Sequence, residues 1–313
     1  MKKTLINTAS LLLGIVLIYL GYKFILGREQ LELLVSKPIS FHFYSCLLVL
    51  PIYLLGGIEK YVLFRTIYNK RISLYDVITL PFVINLWGYL IPVQGSYLYN
   101  TVYFKTKYKI AIENTTSIFL VSLSVSLILA GILGIGYCSF IHFNPYLLLI
   151  CLVSLLNPLF VFVLKKGLTK LPFSSEGIIG NILNGLERIV SDFFNAIDNK
   201  KMMAFLIGMN ILLSLFSAMW SVWISVGFNL DLSILQLLLL AFMIKITPLF
   251  KLTPGNLGID QFTTSGIILL VGGSAAAGFT LSLYQAAIYI LVAFLVGSVF
   301  SVVNMKYFFR RNI

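Results

Sequence analysis

Apolar runs separated by short polar stretches cover most of this chain of 313 residues. Six of the runs reach about 20 residues, the length that an α-helix needs to cross the hydrocarbon core of a bilayer. The pattern therefore predicts an all-α, polytopic integral membrane protein with about six full spans. The predicted spans are residues 5–26, 39–58, 116–140, 145–164, 203–227 and 283–304.

Two further apolar runs, residues 77–92 and 234–250, are shorter and end in breaks that contain proline and glycine. Residues 253–261 follow the second run and cannot continue a helix, because proline lacks the amide donor and glycine has the largest backbone entropy cost. Backbone freed at membrane depth is tolerated only against protein or a polar cavity. Broken helices of this kind often form the binding sites of transporters. The break at residues 253–261 is therefore a candidate functional site.

The positions of the lysines and arginines indicate how these runs are arranged. Basic residues tend to remain in the cytoplasm, which favours a hairpin at residues 73–109 that enters from the cytoplasm and returns. By the same argument residues 233–273 form a hairpin that enters from the outside. All of the 23 basic residues then lie inside except Lys23, Arg28, Lys37, Lys245 and Lys251. This arrangement predicts a multi-pass protein of the cytoplasmic (inner) membrane with both termini in the cytoplasm. Two short full spans in place of each hairpin would leave every loop on the same side of the membrane, so the depth of the hairpins stays open.

The two halves of the chain, residues 1–144 and 145–313, have the same order of spans and hairpin but start from opposite sides. The pattern therefore predicts two opposed re-entrant hairpins in an inverted repeat, an arrangement that usually places the substrate path between the halves. Between them, residues 175–200 carry apolar positions at offsets of 3 and 4, which predicts an amphipathic helix at the cytoplasmic interface. This helix is either a linker with an apolar face to cover or a lateral gate or partner site.

The composition supports a membrane protein, since 59% of the residues are hydrophobic, against about half in soluble domains. The net charge of +12 is explained by basic cytoplasmic loops, so we expect no nucleic-acid partner. His42 and His142 are far apart in the sequence without a cluster of carboxylates, so we expect neither a metal site nor histidine-based catalysis. The sequence contains no nucleotide-binding glycine loop, and we expect no cofactor. The stretches between the predicted spans leave no room for a soluble catalytic domain, which favours a transporter over an enzyme.

The break resembles the signature Pro-Gly-Gly-Leu-Gly-x-x-Glu in the membrane region of the lysylphosphatidylglycerol synthase and flippase family, best known from the multiple peptide resistance factor. Pro254, Gly255, Leu257 and Gly258 match it. The chain departs from the signature at two positions, Asn256 in place of a glycine and Gln261 in place of the acid.

The first hairpin resembles the family's other motif, a Pro-x-x-Gly before a polar or acidic residue and an arginine. Pro92 and Gly95 match, whereas Ser96 replaces a common acid and Tyr99 or Asn100 replaces the arginine. The resemblance concerns the membrane region only, and the soluble aminoacyl-transferase domain of some members has no counterpart in these residues. It implies a flippase-type membrane protein.

Two lysines in the second hairpin stand out, because a lysine at membrane depth costs about 3 kcal/mol on insertion scales. Lys245 and Lys251 either reach the outer interface or pair with Asp260, or they bind the phosphate of a lipid head group together with freed backbone amides. Both hairpin breaks contribute to the candidate site. The candidate substrate-binding residues are Pro92, Gln94, Gly95, Lys245, Lys251, Pro254, Gly255, Asn256, Gly258, Asp260 and Gln261.

These features predict a lipid flippase or translocator that moves an anionic or glycosylated head group across the cytoplasmic membrane. The expected partners are membrane lipids, either an anionic phospholipid or a polyprenyl-linked sugar. Two alternatives stay open: a membrane accessory subunit of a lipid or polysaccharide biosynthesis complex that transports nothing, and an intramembrane transferase that uses a lipid-linked donor. A homo-oligomer or a partner protein from a biosynthetic complex is compatible with these functions.

Overall fold

The computed structural model describes residues 36–91, 95–156, 189–195, 197–250 and 253–304, together with the single positions 16, 19, 32 and 187. Within these residues all regular secondary structure is helical, as the sequence predicts. In chain order the helices are α1 (Ile39–Tyr68), α2 (Leu74–Leu90), α3 (Gly95–Tyr108), α4 (Ile112–Phe140), α5 (Pro145–Leu155), α6 (Lys200–Phe228), α7 (Ile234–Met243), a 3₁₀ segment (Ile244–Phe250), a 3₁₀ turn (Pro254–Asn256), α8 (Ile259–Leu270), α9 (Ala275–Val292), a π-helical turn (Ala293–Gly297) and α10 (Ser298–Asn304).

Four of these helical stretches are long and apolar enough to cross a membrane: Ile39–Tyr68, Ile112–Phe140, Lys200–Phe228 and Ala275–Val302. They correspond to four of the six predicted spans and support the assignment to a membrane. The predicted span at residues 5–26 lies outside the described residues apart from positions 16 and 19, and the one at residues 145–164 is described to residue 156.

Two of the four stretches extend well beyond the predicted bounds. The last span begins at Ala275 rather than at residue 283, because Ser274 caps the helix by accepting a hydrogen bond from the amide of Ala277 at 3.1 Å. Helix α1 continues past residue 58 to Tyr68 and ends where Asn69 adopts a left-handed conformation. The extension of α1 brings Glu59 and Lys60 into the same helix as the predicted span at residues 39–58.

Helices α2 and α3 form the first hairpin, and α7, the 3₁₀ elements and α8 form the second. Each hairpin begins with a serine N-cap, Ser73 or Ser233, that accepts the amide hydrogen of the third residue of its helix. Helix α1 packs along α6. The entering limb α2 packs against the last helical stretch of the chain, and the entering limb α7 packs against α4. Each entering limb therefore contacts the long helix that follows the other hairpin.

Two apolar cores hold these helices together. One surrounds the second hairpin and contains Trp220 and Ile268. The other surrounds the first hairpin and contains Tyr103 and Phe104, together with Phe193 from the predicted amphipathic helix. Residues 189–195 of that helix are helical and pack on protein, while residues 175–186 lie outside the described residues. The hydroxyl of Tyr68 donates a hydrogen bond to Asp192 at 2.6 Å and holds this segment against the end of α1.

Candidate functional site

The tips of the two hairpins meet. Tyr89, near the end of α2, packs its ring against Gly255, and a Cβ atom built on Gly255 would overlap two carbons of that ring. In the first hairpin the limbs are almost as close, since a Cβ on Gly88 would lie 3.1 Å from Cβ of Ser96. Glycine at position 255 is therefore what lets the two tips touch.

The backbone of the second tip explains why glycines occur in the break. Gly255 has φ +56° and Gly258 has φ +85°, in the left-handed region that glycine occupies without a steric penalty. Asn256 also has a positive φ, at +62°, and asparagine tolerates this region better than most residues. The 3₁₀ turn at Pro254–Asn256 and the start of α8 depend on these three conformations.

Side chains satisfy the polar groups that the break exposes. Thr253 Oγ1 donates to the carbonyl of Leu257 at 2.7 Å. Asn256 Nδ2 donates to Asp260 Oδ1 at 2.7 Å and to the carbonyl of Thr247 at 3.2 Å. These bonds join the 3₁₀ segment, the tip and α8 into one unit.

Gln261, where the resembled signature has an acid, both accepts and donates. Its Oε1 accepts the amide hydrogen of Gly258 at 2.5 Å, and its Nε2 donates to the carbonyl of Ser282 at 3.4 Å. The side chain is 0% exposed, so each bond satisfies a group without access to water. An ionised carboxylate could accept the first bond but could not donate the second. Here the glutamine ties the tip of the second hairpin to α9.

A cavity of about 330 Å³, the central cavity, lies between the two tips and α1. Its polar lining comes from both hairpins and from the inner part of α1. The residues that carry this lining include Tyr53, Lys60, Asn85, Ser96, Asn256 and Asp260.

Two further cavities adjoin it. The side cavity, of about 470 Å³, lies among α1, α2, α3 and α4 and shares Lys60, Asn85 and Ser96 with the central cavity. The far cavity, of about 120 Å³, lies among α6, α7, α8 and α9 and shares Tyr89, Gly255 and Asp260 with it. The contact between Tyr89 and Gly255 therefore forms part of the wall between the central and far cavities.

Two buried polar groups of the central cavity have no hydrogen-bond partner among the described residues. They are the hydroxyl of Tyr53 and Oδ1 of Asn256, and both residues are 4% exposed. Oδ1 of Asn100, a residue that lines the side cavity, is also buried without a hydrogen-bond partner among the described residues. Buried polar groups without partners are costly and rare in native structures. At the wall of a cavity, such groups are available to form hydrogen bonds with a bound molecule.

The candidate residues from the sequence fall into three groups. Pro254, Gly255, Asn256, Gly258, Asp260 and Gln261 are brought together at the second tip. Pro92, Gln94 and Lys251 lie outside the described residues, and Gly95 begins α3. Lys245 is directed elsewhere: its Nζ donates to the carbonyl and to Oδ1 of Asn210 at 3.2 and 3.1 Å, and it is not part of the described lining of the three cavities.

Sequence reasoning missed Lys60, the cation that the structure does place in the lining. The sequence predicts a cytoplasmic position for Lys60, because the predicted span ends at residue 58. It also missed Tyr53, Tyr89 and Asn85. Only Asn85 had a usable signal, as a single amide within the apolar run 77–92, because aromatic residues in a membrane helix usually face lipid or the core.

Comparisons with family models, curated proteins and solved structures found no match to this chain. The resemblance to the lysylphosphatidylglycerol synthase and flippase family therefore rests on the two short motifs. Of these, the second motif forms the tip described above.

Proposed function

We propose that this protein translocates the head group of an anionic or glycosylated lipid across the cytoplasmic membrane, with the central cavity as its binding site. The observation that carries the proposal is the meeting of the two hairpin tips around a polar cavity that lies between the two apolar cores. Polar groups inside an apolar body are costly to maintain, and in membrane proteins they commonly mark the path of a substrate.

The chemistry of the cavity suits a head group that has both a negative charge and hydrogen-bond donors. Lys60 offers a cation for a phosphate, an interaction stronger than a neutral hydrogen bond. Asp260 and Oδ1 of Asn256 accept hydrogen bonds, which hydroxyl or amino groups next to the phosphate can donate. The unpartnered hydroxyl of Tyr53 can serve a phosphate or a sugar oxygen.

The order of the cavities supports a path. In the topology that the basic residues favour, the side cavity lies towards the cytoplasm and the far cavity towards the outside. Movement of the Tyr89 ring away from Gly255 would join the central and far cavities. In an inverted repeat, such a change exchanges access between the two sides around one fixed site. The matched packing of α2 and α7 on the long helix of the opposite half supports this arrangement.

The test is reconstitution of the purified protein in liposomes that contain fluorescent phosphatidylglycerol or a fluorescent polyprenyl-phosphate sugar. We expect accelerated movement of one of these lipids between leaflets, measured by chemical quenching of the outer leaflet. Lys60→Gln and Asp260→Asn should each reduce the rate about tenfold, the effect of losing roughly 1.4 kcal/mol of binding. Mass spectrometry of lipids that copurify with the protein would identify the natural head group.

The controls are the same changes at exposed positions, Lys70→Gln and Asp198→Asn, which should leave the rate unchanged. If the wild-type protein copurifies with a lipid whose binding depends on Lys60 but accelerates none, the proposal of transport is wrong and the accessory-subunit alternative gains support. Equal rates in the Lys60 and Asp260 variants and the wild type would remove the central cavity as the site.

A further inference from the structure

A second polar network lies beside the cavities and contains two ionisable groups. Glu59 of α1 is 8% exposed, and its Oε1 accepts a hydrogen bond from Ser122 Oγ of α4 at 2.5 Å. Lys245 of the 3₁₀ segment donates to Asn210 of α6, as described above. Glu59 and Lys245 have opposite charges, and each has a neutral residue as its hydrogen-bond partner.

Ser126 lies between these two ends. Its hydroxyl lies 2.9 Å from the carbonyl of Ser122 and within hydrogen-bond distance of Oδ1 of Asn210. A serine hydroxyl has one hydrogen to donate, so it serves one of these two acceptors at a time. The network of Glu59, Ser122, Ser126, Asn210 and Lys245 therefore has one member, Ser126, with two alternative acceptors.

The network lies beside a cavity at one end and beside the second hairpin tip at the other. Glu59 lines the side cavity, which is large enough to contain water. Lys245 lies two residues before Thr247, whose carbonyl accepts from Asn256 at the second tip. A change of charge at Glu59 is thus in a position to alter the tip of the second hairpin.

The surroundings of Glu59 favour a proton over a larger cation. The charged groups that act on it are Lys245 from the second hairpin and Lys60 from its own helix, while α4 and α6 contribute neutral serine and asparagine side chains. A metal cation of the hard type requires several oxygen ligands and would be repelled by both lysines. A proton requires a single carboxylate oxygen, and buried carboxylates are known as relay sites in pumps and transporters.

We propose that Glu59 is a proton-binding site and that its occupation is coupled through Lys245 to the second hairpin. A hydronium ion in the side cavity transfers one proton to a carboxylate oxygen of Glu59, which leaves water and a neutral carboxyl group. Lys245 then loses its nearby negative charge, and the hydrogen bonds of Ser126 and Asn210 rearrange. Proton binding stands independently, whereas its coupling to lipid movement rests on the proposed function.

Proton binding is tested by infrared difference spectroscopy of the purified protein across a pH titration. We expect a carboxylic acid C=O band that appears on acidification and is lost in Glu59→Gln. Glu187→Gln, at an exposed glutamate, is the matched control and should retain the band. Ser122→Ala keeps the carboxyl group but removes its hydrogen-bond donor, so it should change the frequency of the band even if Glu59→Gln fails to fold. A band unaffected by either change would refute the site.

Coupling is tested in liposomes with an imposed pH gradient and fluorescent phosphatidylglycerol. If one proton moves with each lipid, one pH unit should shift the distribution between leaflets about tenfold at equilibrium, and Glu59→Gln should abolish this dependence. A wild-type distribution that ignores the gradient, although the lipid moves, would refute coupling. If the wild-type protein moves neither fluorescent lipid of the two described above, the proposed function fails, while the infrared result still decides the proton site.

Discussion

The two hairpins begin alike, but they are fastened by different chemistry. In the first, Asp76 is the third residue of its helix and reaches the end of the returning limb, where it accepts from Tyr103 Oη at 2.9 Å and from Lys107 Nζ at 2.6 Å. In the second, Gln236 occupies the same place, and its Nε2 donates to the carbonyl of Val271 at 2.9 Å. We call these two contacts the clasps of the hairpins. The ionic clasp of the first hairpin is a buried ion pair, and the neutral clasp of the second is a hydrogen bond from an amide to a carbonyl.

The entering limbs also differ, and again the first hairpin is the more firmly held of the two. Helix α2 is continuous to Leu90, and Trp87 and Tyr103 both stack on Tyr99 of the returning limb. Helix α7 ends at Met243 and continues as a 3₁₀ segment, a conformation with poorer hydrogen bonds that often marks a hinge. The comparison indicates that the first hairpin is the stiffer element and that the second is the one able to change shape.

Corresponding positions also have different partners. Asn85 and Lys245 follow their N-cap serines at the same spacing in the sequence. Asn85 lines the central and side cavities, whereas Lys245 binds Asn210. The first hairpin therefore contributes to the cavities at this position, and the second contributes to the network that contains Glu59.

The largest expected difference between the hairpins is the side of the membrane from which a water-soluble reagent reaches the start of each one. Leu74 and Ile234 are the first residues of α2 and α7 and are 73% and 70% exposed. In a protein whose cysteines have been replaced by serine, an impermeant thiol reagent added to intact cells should label Ile234→Cys and should label Leu74→Cys only after the membrane is opened. Native Cys138, which is buried, is unsuitable for this purpose. Labelling of both positions from one side would contradict the opposed hairpins.

The next largest effect is expected at the ionic clasp. Asp76 is 0% exposed, and Asp76→Asn leaves the Lys107 ammonium in a partly buried site without its carboxylate. Removal of one member of a buried ion pair costs about 3–5 kcal/mol, and the free energy of unfolding, measured in mixed micelles, should fall by this order. Asp198→Asn, at an exposed aspartate, should cost little. A loss at Asp76 as small as at Asp198 would mean that the clasp does not hold the first hairpin.

A smaller effect is expected where the tips touch. Gly255→Ala places a side chain at φ +56°, which costs about 1–2 kcal/mol, and pushes the new methyl group into the Tyr89 ring. Crowding of this kind costs a further 1–3 kcal/mol or so. In the double variant with Tyr89→Ala, the crowding part should disappear and the backbone part should remain.

The control for this pair is Gly266→Ala in α8, where a new Cβ has no neighbour within 4 Å. It should stabilise the helix by about 0.5–1 kcal/mol. If Gly255→Ala costs the same with and without Tyr89, the tips do not press on each other.

The sequence predicts the helices and the breaks well, because apolar length and proline or glycine act locally. It could not show that Glu59 and Lys60 continue the helix of the predicted span at residues 39–58. The two charges end the apolar run, but the helix continues to Tyr68, with Glu59 accepting a hydrogen bond from Ser122 and Lys60 lining the central cavity. Likewise the sequence could not show that Lys245 binds Asn210. The two residues are 35 positions apart in the chain, and only the packing of α6 brings them together.

The clasp of the first hairpin shows the same limit. Lys107 falls within the hairpin that the sequence predicts at residues 73–109, but nothing in the pattern pairs it with Asp76, and this pairing follows from the packing of α3 along α2. Local pattern predicts elements, whereas the pairing of ionisable side chains follows from the arrangement of those elements in space.

The smallest effect is expected at the neutral clasp. Gln236→Met removes the amide that donates to the carbonyl of Val271, but that carbonyl also accepts from Tyr137 Oη at 2.8 Å. The acceptor therefore keeps one partner, and the free energy of unfolding should fall by only about 1 kcal/mol. Tyr137→Phe should cost a similar amount for the same reason. The double variant removes both side-chain donors to this carbonyl, so its loss should exceed the sum of the two single losses, as is usual for groups that share a partner. If the losses in free energy of unfolding are strictly additive, the second hairpin is held by packing rather than by this carbonyl. If Gln236→Met loses as much free energy of unfolding as Asp76→Asn, the two clasps do not differ.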